Sequence, residues 1–100
     1  MGLVFGTLAD KDWRPMLDTL APLAFTRAYV APQGGARGAA DVGAMAARHA
    51  GVMAPSTGDA LSFVESAPGL SLIVVAGSIV LVGQARARLL GLRSDPSVAL

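Results

Sequence analysis

Asp10, Lys11 and Asp12 stand directly after the first apolar stretch of the chain, at the point where Leu3-Val4-Phe5 gives way to a charged turn. An apolar run of this kind reads as a strand, and the residues past its carboxyl end lie where ligands bind in open α/β sheets. A lysine ammonium there suits a carboxylate or a phosphate, and the two flanking aspartates would hold it extended. The plainer chemistry of the same residues is a solvated turn in which Asp12 caps the following helix. Gly77-Ser78, past a later apolar run, poses the same choice, because a serine at a helix N-cap satisfies a backbone donor and can also face a ligand. His49 is the single histidine. It sits on an apolar helix face with no Cys, second His or carboxylate at ligand spacing, so a structural role is expected. Gly34-Gly35-Ala36-Arg37-Gly38 matches neither the Walker pattern nor GxGxxG and reads as a connection.

The elements that would position these residues alternate between short apolar runs and longer helical periods, the pattern of strand-helix units around a mostly parallel sheet. Leu3 to Phe5 forms the first strand. A helix follows at Trp13, with Pro15 in its first turn, Asp12 as N-cap, and Met16, Leu17, Leu20 and Leu23 as its buried stripe. Trp13 and Met16 read as packing residues. Phe25 to Val30 is a second strand that buries Phe25, Ala28 and Val30 and turns Arg27 and Tyr29 toward solvent. A helix from Ala39 to His49, ended by Gly51, places Val42, Met45, Ala46 and His49 on one face. Val52 to Ala54 makes a short third strand. A helix from Asp59 to Ala67, capped by Thr57 or Asp59, stops at Pro68, and Leu70 to Ala76 is a fourth strand rich in β-branched residues. Beyond the turn at Gly77-Ser78, Ile79, Val82, Ala85, Arg86 and Leu89 recur at helical spacing.

Two of these segments resemble a known family. Leu3-Val4-Phe5-Gly6 with Asp10-Lys11-Asp12, and Ala76-Gly77-Ser78-Ile79-Val80-Leu81-Val82-Gly83-Gln84-Ala85-Arg86, are similar to the "FG...DKD" and "GSLYLVGEAR" runs in the C-terminal domain of folylpolyglutamate synthase/dihydrofolate synthase, a relative of the Mur ligases. The chain departs from the second run at Val80, where the family often has an aromatic residue, and at Gln84, where it often has Glu. The resemblance implies an α/β fold with a Rossmann-like, mostly parallel sheet flanked by helices. It implies a Mur-ligase-type C-terminal domain over residues 1–92 that lacks its own first strand-helix unit, followed by a tail over residues 93–100.

The family reaction uses ATP, with magnesium, to turn a folate carboxylate into an acyl phosphate that the amine of L-glutamate attacks. By that resemblance Lys11 contacts the glutamate carboxylate and Ser78 makes a second contact. Asp10 and Asp12 match the motif as further substrate-side residues. The sequence contains no GxxxxGK[ST] loop and no "DGAHNP"-like turn. ATP, magnesium and folate are therefore expected on an ATPase domain that lies upstream or on a separate chain, and no ligase activity is expected of this chain alone. A sheet deprived of its first unit also presents an uncovered edge, which favours self-association or pairing with such a partner.

Composition narrows the remaining classes. One hundred residues make one small domain, able to bury roughly 60 to 70% of the surface its unfolded chain exposes. Eight Lys and Arg against seven Asp and Glu leave a net charge of +1 with no basic cluster, so a nucleic-acid partner is not expected. There are no cysteines and no secretory n-region after Met1, which makes the cytoplasm the expected compartment. Residues 66–85 carry no charge. A membrane-associated protein built on Leu70 to Val82 is thus one alternative, against which stand the Pro and Gly residues that interrupt the run. A stand-alone α/β binding or interaction module is the other.

Overall fold

The computed structural model describes residues 1–9, 11–32, 38–77, 82 and 86. Asp10, Ser78, the centre of the glycine-rich connection, and the helix and tail expected past Ser78 lie outside the described residues, apart from Val82 and Arg86, which are helical. Four parallel strands form one sheet: β1 (Gly2–Gly6), β2 (Thr26–Val30), β3 (Val52–Ala54) and β4 (Ile73–Gly77), in the order β3-β2-β1-β4. Helix α1 (Arg14–Leu20) and a 3-10 turn (Ala21–Leu23) join β1 to β2. Helix α2 (Val42–Arg48) joins β2 to β3, and α3 (Thr57–Glu65) carries the chain back across the sheet to β4. The α/β class and the Rossmann-like parallel sheet flanked by helices are as expected.

The strand pleat sorts side chains into two cores. Leu3, Phe5 and Tyr29 face α1 and α2 and pack with Trp13, Leu17, Ala21, Ala24, Ala40 and Met45. Val4, Ala28 and Val30 face the other way, onto Ala60, Leu61 and Val64 of α3. Because β1 and β2 have neighbours along both edges and helices over both faces, neither retains a wet side. This corrects the expectation for Tyr29, which is fully buried. Its hydroxyl donates to the His49 carbonyl at 2.6 Å, and burial pushes the phenol above its ordinary pKa despite the nearby Arg27 charge.

Other local expectations shift for identifiable reasons. The buried stripe of α1 runs through Trp13, Leu17 and Ala21, three residues at i, i+4 and i+8, which turns Met16 outward. The helix then tightens into the 3-10 turn, and the change of pitch leaves Leu23 65% exposed. Phe25 precedes β2 and is 57% exposed. Asp12 does not cap α1: the N-cap is Trp13, without a side-chain bond, while Pro15 does occupy the first turn. Helix α2 begins at Asp41, whose carboxylate accepts from Gly43 N–H at 2.8 Å, and is closed by His49 ahead of Gly51. Helix α3 is capped by Ser56, not Thr57 or Asp59. The Ser56 hydroxyl accepts from the Asp59 N–H and donates to the Asp59 carboxylate, a reciprocal cap.

Replacing Tyr29 by Phe keeps the ring in the core and deletes its bond to His49. Urea unfolding should show a loss of about 1 kcal/mol, with the slope against urea unchanged.

Candidate functional site

In this strand order the chain winds from β1 out to β2 and β3 and then returns to place β4 on the opposite side of β1. The reversal lies between β1 and β4, and the crevice beyond the carboxyl ends of the two strands at such a reversal is where open α/β sheets bind ligands. Gly6 and Gly77 are register partners there. Gly77 has φ of +117°, and a Cβ on it would fall on the Gly6 carbonyl oxygen, so the two backbones close to a distance that only glycine permits. The β-carbon of Thr7 continues the pleat of Leu3 and Phe5, and its methyl lies 3.0 Å from where a Gly77 Cβ would stand.

Thr7 is 1% exposed, and its hydroxyl oxygen has no hydrogen-bond partner among the described residues. A buried hydroxyl left in this state costs about 1–3 kcal/mol. The Thr7 carbonyl accepts from Ala40 N–H at 2.9 Å, Ala9 N–H donates to the Gly38 carbonyl at 3.0 Å, and Leu8 bridges antiparallel to Ala39. The loop after β1 is therefore tied to the segment that leads into α2. The glycine-rich connection between β2 and α2 thus begins and ends on the same edge of the sheet as the crevice.

Lys11 sits on this loop, exposed, with its N–H donating to the Leu8 carbonyl at 3.2 Å. Its side chain makes no ion pair among the described residues. Asp12 turns instead to Arg14, at 3.8 Å, and Arg14 lies over the Trp13 ring at 4.7 Å. For Asp12, the expected arrangement in which the aspartates flank and extend Lys11 gives way to pairing down the chain with Arg14. Asp10 and Ser78 lie outside the described residues. What can be placed is Gly77, the residue before Ser78, and it abuts the residue from which the Lys11 loop departs.

A second polar cluster joins α1 to the end of α2. Arg48 donates from Nε and Nη2 to the two Asp18 carboxylate oxygens, both at 2.7 Å, and His49 Nε2 lies 2.8 Å from Asp18 Oδ1. A carboxylate only accepts, so Nε2 carries the proton. Sequence spacing around His49 gave no partner carboxylate because Asp18 comes from another helix, 31 residues earlier. With Tyr29 on its carbonyl and Asp18 on its ring, His49 is a structural clamp, in line with the role its apolar face suggested. Arg27 adds to the same corner, donating to the Ala21 carbonyl at 2.9 Å and to the Ala50 carbonyl at 2.8 Å.

The described residues contain no group of three His, Cys, Asp or Glu side chains that could hold a metal. Nor is any helix among them long and apolar enough to cross a membrane. Comparison with family models, curated proteins and solved structures yields no match.

The Arg48 hydrogen bonds, and then that of His49, hold the Asp18 carboxyl well below the usual carboxylate range. A depressed carboxyl stabilises the fold above its unfolded pKa of about 4 and loses that contribution as pH falls below it. Asp18→Asn should lower Tm slightly at pH 7, the pair being solvent-screened. The gap between variant and wild type should close as thermal melts are repeated from pH 5 downward.

Proposed function

We propose that this chain is the amino-acid-binding domain of an ATP-dependent acid–amino-acid ligase of the folylpolyglutamate synthase/dihydrofolate synthase kind, inactive without an ATPase domain. The observation that carries this is the Gly6–Gly77 pairing at the reversal of strand order, because it brings the ends of the two motif-bearing strands side by side. The Lys11 ammonium, exposed on a loop leaving that point and without an ion pair among the described residues, supports a carboxylate ligand.

In this proposal the Lys11 ammonium neutralises a carboxylate of L-glutamate and fixes the molecule so that its amine faces the partner domain. Ser78 supplies a second contact to that carboxylate, and Asp10 and Asp12 shape the loop, Asp12 through its pairing with Arg14. The amine attacks the acyl carbon of the folate acyl phosphate, a C–N bond forms, the C–O bond to phosphate breaks, and inorganic phosphate leaves with the bonding pair and takes up the proton that the amine sheds. This domain's share of catalysis is positioning and charge neutralisation. ATP, magnesium and the folate belong to the ATPase domain, encoded upstream or separately, and the cytoplasm is the compartment that supplies them.

Calorimetric titration of the full chain with L-glutamate should give saturable binding, weakened about tenfold or more by Lys11→Ala. Given ATP, magnesium, glutamate and a reduced folate, the chain alone should form no folylglutamate. Addition of a P-loop ATPase domain truncated before its own FG strand should restore turnover, and Lys11→Ala should abolish that gain. Turnover by the chain alone, or the absence of glutamate binding, would overturn the proposal. Binding without restored turnover would identify a stand-alone binding module instead.

A further inference from the structure

The unpartnered hydroxyl of Thr7 is not explained by packing. Valine has the same shape, would fill the same place beside Gly77 and in line with Leu3 and Phe5, and would leave no buried polar atom unsatisfied. Thr7 is also the first residue past β1, at the carboxyl end of the strand that borders the reversal, on the loop that carries Lys11. Its branch toward Gly77 is the methyl. A turn of about 120° in χ1 would carry Oγ1 to that β4 side and the methyl to the place of Hβ.

We propose that Thr7 is a ligand-binding residue of the β1–β4 crevice, its Oγ1–H donating to the carboxylate that Lys11 attracts. The inference rests on the carboxylate reading above and adds to it a specific inner donor. Lys11, exposed and mobile at χ, supplies attraction without geometry, whereas a hydroxyl shielded from water supplies direction, and a hydrogen bond to an ionised acceptor is stronger there than in solvent. The ligand class is a small carboxylate. A phosphate would ask for further cations than Lys11, the one basic residue that the sequence carries between Gly6 and Arg14.

The test compares wild type, Thr7→Val and Thr7→Ser as full chains. Melting without ligand is measured first, followed by titration with L-glutamate monitored on backbone amide signals. Thr7→Val should melt at or above the wild-type temperature, because it removes an unsatisfied group, yet bind glutamate about tenfold more weakly. Thr7→Ser, which keeps the hydroxyl, should bind within about threefold of wild type. A Thr7→Val protein that binds glutamate as wild type does overturns the inference and leaves the carboxylate site standing. A Thr7→Val protein that melts well below both others also overturns it, since the hydroxyl then serves the fold. A wild-type chain that shows no glutamate-dependent shifts removes the carboxylate reading, and the role of Thr7 with it.

Discussion

Strand β1 is bonded along both edges and sheathed on both faces, and every one of its five residues is buried. Each of the other elements is placed by reference to it. Its Leu3 and Phe5 are the floor onto which α1 and α2 pack, and its Val4 is the floor for α3. Gly2 must lack a side chain because α3 approaches through Val64, and Gly6 must lack one because the Val30 carbonyl lies against it. A central strand framed by glycines at both ends therefore lets two layers of helices and two neighbouring strands close in together. The same closeness draws the carboxyl ends of β1 and β4 together at Gly6 and Gly77.

The layers are held in register at one corner by polar contacts instead of apolar area. Tyr29 of β2 reaches the carbonyl of His49, Arg27 spans the carbonyls of Ala21 and Ala50, and Arg48 and His49 grip Asp18 of α1. These bonds satisfy backbone groups at the ends of short helices, where intrahelical partners run out. They lie beyond the amino-terminal half of the sheet, since β2 begins near Arg27 and β3 begins near Gly51. The stabilising corner and the candidate ligand crevice thus occupy opposite ends of the strands.

Much of this order was legible in the residues. Alternating apolar runs and helical periods gave the parallel α/β architecture, Val52 to Ala54 gave β3, and the motif pair at Asp10-Lys11-Asp12 and Gly77-Ser78 pointed to two strand ends that prove adjacent at Gly6 and Gly77. What escaped was set by tertiary packing. Alternation along Phe25 to Val30 suggested a half-wet strand and put Tyr29 outside, because sequence period alone does not reveal that a strand has helices on both faces. Asp18 as the partner of His49 was invisible at a separation of 31 residues. The pairing of Thr7 to Ala9 with Gly38 to Ala40 left no periodic signal either, being a single bridge between two loops. Thr7 itself stands in no motif that the residues offered, and only its burial without a partner among the described residues marks it.

The central claim is that a small carboxylate binds beyond the carboxyl ends of β1 and β4. The most direct measurement is of intermolecular nuclear Overhauser effects between the methylene protons of L-glutamate and the backbone amides of the full chain. The account predicts effects at Gly6, Thr7, Lys11 and Gly77. Effects confined to the opposite end of the sheet, at Gly2, Thr26 and Ile73, or to the Asp18, Arg48 and His49 corner, would contradict it.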